Sequence, residues 1–274
     1  YGDWTYTLDN TNTDVQALAV DESMVDTVTV RTFDGTTEGI SITIEGTNDD
    51  PVVSDVVTGA ASDNDVTVTT INLLAGATDV DGDSLTVENL TLVSGDNIGV
   101  MFNYNDGTLT IDPVDYQYLN AGVDEVITYS YDIMDSNGGS VSQTATVTVT
   151  GTNDLPTIWG NTAGYVDEDF TLTTSGALSV TDVDTGETSF QAETITGAYG
   201  SLTIDEIGDW TYTLDSTNAD IQTLGGTQWT TETLTVRTFD GTTEDITITI
   251  NGTDDGPVVS GDSSASVVED GNVT

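Results

Sequence analysis

The feature that most constrains this chain is that it repeats itself. Residues 2–54 align with residues 208–260 at a constant offset of 206, without a gap, and 35 of the 53 positions are identical. GDWTYTLD occurs at 2–9 and 208–215, and VRTFDGTTE at 30–38 and 236–244. A looser motif recurs at half that period: TNDDP at 47–51, TNDLP at 152–156 and TDDGP at 253–257. A period of this size marks a structural unit of about a hundred residues used in tandem. The spacing parses the chain into the C-terminal part of one repeat (1–50), a complete unit (51–155), a second complete unit (156–256) and the first strand of another (257–274). With Tyr1 at its start, the chain reads as a section of something longer.

Within each unit the pattern is that of strands. Trp4, Tyr6 and Leu8 alternate with Thr5 and Thr7, and Ile246, Ile248 and Ile250 alternate with Thr247 and Thr249. Alternation of this kind puts one face in a core and the other in water. The 53 threonines favour such half-buried strands. Turn pairs at Asp34-Gly35, Asp106-Gly107, Gly138-Gly139 and Asp240-Gly241 fall at hairpin spacing. The expected fold is all-β: tandem antiparallel β-sandwiches of immunoglobulin-like size arranged end to end, with no helix of any length. Trp4 and Trp210 are in phase with the core positions, whereas the pattern leaves Trp159 and Trp229 unassigned. Arg31 and Arg237 are out of phase with Val30 and Val236 and should point outward, to an ion pair or carboxylate clamp.

Charge narrows the partners. There are 48 Asp and Glu against two Arg, with no Lys, His or Cys, for a net charge of -46. Repulsion on that scale opposes compaction unless cations or salt relieve it, and it excludes nucleic acid and anionic membrane surfaces as partners. No run of 18 apolar residues is present, so no membrane-inserted segment is expected. Without His, Lys or Cys, most general bases, nucleophiles and zinc ligands are missing, and an enzyme is not expected.

The outer repeats, with GDWTYTLD, NADIQTL, DGTTE and the G-T-N/D-D-x-P linker, resemble the VCBS repeat of bacterial surface and type I-secreted proteins. The middle repeat, with LLAGATDVDGDSL, GTLTIDP and YSYDIMDSNGG, resembles the related bacterial cadherin-like repeat. The resemblance implies an extracellular or cell-surface, secreted protein: a calcium-stiffened spacer in a large adhesin acting in cell adhesion, biofilm or surface attachment. Neighbouring repeats and calcium ions would be its partners, and surface glycans or other cells would be met by parts outside these residues. The alternative is a carbohydrate-binding accessory module of a polysaccharide-degrading enzyme.

The carboxylates cluster as calcium requires, with several hard oxygens close together. Asp79, Asp81 and Asp83 alternate around Gly82, and Asp182 and Asp184 take the equivalent place one unit on. The linkers supply Asn48, Asp49 and Asp50, then Asn153 and Asp154, then Asp254 and Asp255. A third acidic element follows each linker: Asp63 and Asp65, Glu168 and Asp169, then Glu269 and Asp270. The resemblance implies how they combine. One junction draws on the acidic element of the preceding domain, the linker, and the D-x-D loop of the following domain. The second junction would then use Asp63 or Asp65 with Asn153, Asp154, Asp182 and Asp184. Asp34, Asp135 and Asp240 open hairpin turns and are expected to cap backbone amides there.

Overall fold

The structure, a computed structural model, describes residues 2–257, 259–261, 264 and 269. The chain forms two compact units, residues 1–154 and 155–274.

The first unit opens with a hairpin, Ser23–Arg31 against Thr37–Glu45, followed by a sandwich. One sheet orders its strands Val57–Ser62, Ser140–Thr150, Asp124–Met134 and Thr86–Ser94; the other orders Thr69–Asn72, Thr108–Ile111 and Val100–Asn103. Alternation drives the packing. Ile127, Tyr129, Tyr131 and Ile133 point inward from one strand and Ala145, Val147 and Val149 from its neighbour, meeting Ile71, Leu109 and Ile111 of the facing sheet. The Tyr131 hydroxyl stays satisfied by donating to the Leu73 carbonyl at 2.8 Å, and burial pushes that phenol up to about 12.

The second unit repeats the plan. Five strands run in the order Thr157–Gly160, Thr173–Thr181, Asp209–Leu214, Gly200–Ile204 and Glu193–Thr196, and pack on three, ordered Ala163–Asp167, Thr243–Asn251 and Trp229–Arg237. Trp210, Tyr212 and Leu214 fill the core with Ile246, Ile248 and Ile250. Gly176 makes room for the indole: a Cβ there would stand 2.5 Å from Trp210 Cζ2.

Two expectations change. The sandwiches are not purely antiparallel, because Val57–Ser62 pairs in parallel with Ser140–Thr150, and Ala163–Asp167 with Thr243–Asn251. An early strand and the last strand of each domain therefore run the same way, so each domain takes in its chain at one end and releases it at the other. Second, Trp4 is 59% exposed although its counterpart Trp210 is 1% exposed. The strands flanking Trp210, Thr173–Thr181 and Gly200–Ile204, have no counterpart among residues 2–50. The only helices among the described residues are short: one α-helical turn, Thr13–Gln16, where Asn12 Oδ1 accepts from the Asp14 and Val15 amides, and 3-10 turns at Pro113–Tyr116 and Ile221–Thr223.

On the wet face, Asp132 accepts from Asn89 Nδ2 at 2.8 Å and Ser142 Oγ at 2.7 Å. The Asn89 bond, then Ser142, holds this carboxyl below its ordinary value of 3.8. Its stabilisation is therefore present above the unfolded value and fades as pH falls through the lower folded one. Asp132→Asn should lower stability at neutral pH, and the gap from wild type should close on acidification below 3.8. Urea unfolding at a series of pH values measures this.

Candidate metal centre

At the entry end of the middle domain the chain gathers oxygens from three segments. Asp79, Asp81 and Asp83 bring carboxylate oxygens within 4.8 Å of one another. Their loop is tight: the Asp81 amide donates to Asp79 Oδ1 at 2.9 Å, and Gly82 sits at φ 79°, a region glycine enters without cost. The linker then closes over it. The Asp49 amide donates to Asp81 Oδ2 at 2.8 Å, and Asn48 Nδ2 donates to Asp135 Oδ2 at 2.9 Å. Asp50 approaches Gly139, where an added Cβ would lie 2.6 Å from its Oδ1 and clash with Asp135 Oδ2. Only glycine lets the hairpin and the linker meet this closely.

Asp135 does two jobs. Its Oδ1 accepts from the amides of Asn137, Gly138 and Gly139 at 2.8, 2.6 and 2.9 Å, the expected turn chemistry. Its other oxygen orients Asn48, which the sequence pattern did not suggest. The Asn48 bond, followed by these turn amides, holds its carboxyl below the ordinary range. Asn137 Nδ2 and Ser136 Oγ of the same hairpin donate to Asp83 at 2.7 and 3.3 Å. Asp34 and Asp240 cap their turns through Thr36 N and Thr242 N, each at 3.1 Å.

What remains after these bonds is informative. Asn48 Oδ1, Asp79 Oδ2 and Asp81 Oδ1 are buried without a hydrogen-bond partner. Buried polar atoms in native proteins are almost always satisfied, and burying anionic oxygens unpaired is costly. The chain has only two Arg and no Lys to offer as counter-charge. An all-oxygen set of this kind suits a hard divalent cation.

In the second unit Asp182 and Asp184 recur, joined by Glu187 within the same 4.8 Å limit. The Asp184 amide again donates to the first carboxylate, Asp182 Oδ1, at 2.9 Å, and Asp182 Oδ2 is buried with no partner. Glu187 was missed because DVDTGE moves the third acid one position beyond its place in DVDGD. That one-residue shift was the available signal.

At each domain's exit end, the expected acidic element meets the departing linker. Asp63, fully buried, accepts from the Thr152 amide at 3.1 and 3.0 Å and from its hydroxyl at 2.8 Å. Glu168, equally buried, accepts from the Thr253 amide and hydroxyl, and Asp169 takes the same hydroxyl at 2.6 Å. Glu168 Oε2 is left buried without a partner. Asp65 instead caps its own strand through Ser62 N at 2.9 Å, and Asp254 accepts from Gly226 N at 3.0 Å. Asn153 Nδ2 donates to the Asp154 carbonyl at 2.9 Å, as Asn48 does to Asp49 at 3.2 Å. Asp255 and Glu269 are exposed, and Asp270 lies outside the described residues.

Residues 47–150 match the family described as cadherin-like domain, and residues 153–252 the one described as bacterial cadherin-like domain. The chain belongs to the cadherin-like repeats. Both matches begin at the linker, at Thr47 and Asn153, so each cadherin-like unit counts the incoming linker with the domain that follows. That division agrees with the bond from Asp49 to Asp81. Among solved structures, the chain is similar to protocadherin gamma B2 extracellular cadherin domains 1–5, at 14% identity, covering 84% of this chain and 51% of that one with a TM-score of 0.45. It is also similar to a protocadherin gamma B7 EC3–6 cis-dimer structure (18% identity, 74% and 48% covered, TM-score 0.42) and to the human desmocollin-1 ectodomain (16%, 82% and 41%, 0.33). The chain thus spans about half the length of the first two. Among curated proteins none matches it in sequence.

Proposed function

We propose that this chain is a calcium-stiffened spacer from a large secreted or cell-surface bacterial adhesin, serving attachment or biofilm formation rather than catalysis. Each linker would be locked by calcium to the D-x-D loop of the domain it enters, and Asp63 or Glu168 would anchor the linker where it leaves. The cadherin-like cores would occupy 51–155 and 156–256, flanked by parts of neighbouring repeats. No helix among the described residues is long and apolar enough to cross a membrane. The observation that carries the reading is the set of buried, partnerless oxygens of Asn48, Asp79 and Asp81, which belong to a linker and a loop tied together by the Asp49–Asp81 bond. In this account calcium supplies the positive charge that the sequence lacks. Asp79, Asp81 and Asp83 ligate it, and the linker is fixed because its own groups complete the shell.

Calorimetric titration with calcium tests this. Wild type should bind more than one ion, Asp79→Asn combined with Asp81→Asn should lose part of that stoichiometry, and Gly139→Ala should weaken affinity by displacing Asp50 and Asp135. A chain that takes up no calcium, or a double variant that binds as wild type does, would contradict the reading.

A further inference from the structure

The outer face of the three-stranded sheet in the second unit carries side chains that a spacer does not require. Its outward positions form rows across the strands: Tyr165, Thr249 and Thr231 in one, Asp167, Asn251 and Trp229 in the next. Tyr165 is 67% exposed and Trp229 65% exposed. They project from the two outer strands, while buried Gly164, Val166, Ile248 and Ile250 occupy the opposite face. Two strand spacings and one row separate them, roughly 12 Å. Between them lie hydroxyls and an amide, with Asn251 Nδ2 held by Asp167 Oδ1 at 3.1 Å.

Comparison within the chain shows that the fold does not impose this pair. The position of Trp229 is Ser23 in the first repeat and Asp124 in the middle domain, and that of Tyr165 is Ala60. Single exposed hydrophobics are ordinary, but two large rings on one wet face, both particular to one repeat, are not explained by packing.

We infer that this face binds a neutral polysaccharide, with Tyr165 and Trp229 stacking on sugar rings and the Thr231, Thr249 and Asn251 side chains hydrogen-bonding hydroxyls between them. Three observations select that ligand. The net charge of -46 repels anionic chains. The groups between the rings are uncharged hydroxyls and an amide, apart from Asp167, which is occupied by Asn251, so a cationic partner finds no cluster to pair with. The rings are separated by threonine rather than joined by aliphatic side chains, so they lack the continuous apolar centre of a protein interface. Aromatic side chains with polar neighbours suit a ligand that is itself apolar on its ring faces and polar at its edges.

The test is affinity electrophoresis of the whole chain in calcium, through gels containing mixed-linkage β-glucan, xylan, galactomannan or dextran, with alginate as the anionic counterpart. At least one neutral polysaccharide should retard wild type. Trp229→Ala and Tyr165→Ala should each weaken that retardation about tenfold without altering the melting temperature, and Trp229→Phe should retain most of it. Absence of retardation by every neutral polysaccharide, retardation by alginate alone, or full retardation of the double alanine variant would overturn the inference.

Discussion

In millimolar calcium this chain should melt on the order of 20 °C higher than in chelator. An ion present at a thousand times its dissociation constant adds about 4 kcal/mol to the folded state, and each kcal/mol moves a domain of this size by about 4–8 °C. More than one candidate centre is present, so the shift should be large even where single sites are weak. Sodium chloride at matched ionic strength should recover only part of it, since screening relieves the long-range repulsion of the acidic surface but leaves Asn48 Oδ1, Asp79 Oδ2 and Asp81 Oδ1 unsatisfied. Magnesium should fall short too, because it demands a stricter octahedral shell and sheds water reluctantly. Ligating carboxylates must be ionised, so the calcium increment is present at neutral pH and is lost on acidification through the carboxylate range. Scanning calorimetry in these four conditions at neutral pH, and in calcium and chelator at acid pH, measures all of this; equal recovery by calcium and sodium chloride would mean that the acidic clusters respond to charge alone.

The second large effect lies in the core. Trp210→Ala should cost roughly 3–5 kcal/mol, a severe fraction of a domain's usual stability. The indole is buried against Gly176 and donates to the Asn161 carbonyl at 2.8 Å, so truncation leaves both a cavity and an unpaired carbonyl. Trp4→Ala, the same residue in the same motif, should change stability by no more than about 0.5 kcal/mol, because Trp4 is exposed. Urea unfolding followed by circular dichroism separates the two, and a large loss from Trp4→Ala would show that residues 2–9 are packed after all.

That contrast also shows what the sequence makes legible. The alternation in GDWTYTLD identifies a strand with one apolar face, and residues 209–214 form it. Identical letters at 2–9 do not, because a strand needs a partner strand to pair with and local pattern carries no information about one. The parallel pairing of Val57–Ser62 and Ala163–Asp167 was hidden for a related reason: periodicity gives the face a residue points to and says nothing of strand direction. At the candidate centre, D-x-D loops, linkers and acidic elements were all visible as recurring carboxylates. How they combine came only from the family resemblance, which grouped them across the junction between successive domains, and Asp135 shows the limit of the pattern. Its turn role followed from Asp-x-x-Gly-Gly, whereas its bond to Asn48 joins residues 87 apart. Glu187 escaped because the D-x-D pattern has a fixed spacing, while a loop needs only to bring the oxygen close.

The claim that calcium stiffens the linkers through the D-x-D loops is tested most directly by small-angle X-ray scattering on wild type and on Asp182→Asn combined with Asp184→Asn. Neither carboxylate belongs to the hydrophobic core of its domain, so both sandwiches should stay folded in the variant and melt cooperatively. Wild type in calcium should have the longest mean dimension and the narrowest distribution. The double variant in calcium should be shorter on average and more broadly distributed, matching wild type in chelator. If the double variant in calcium scatters as wild type in calcium does, these carboxylates do not hold the linker and the account is contradicted.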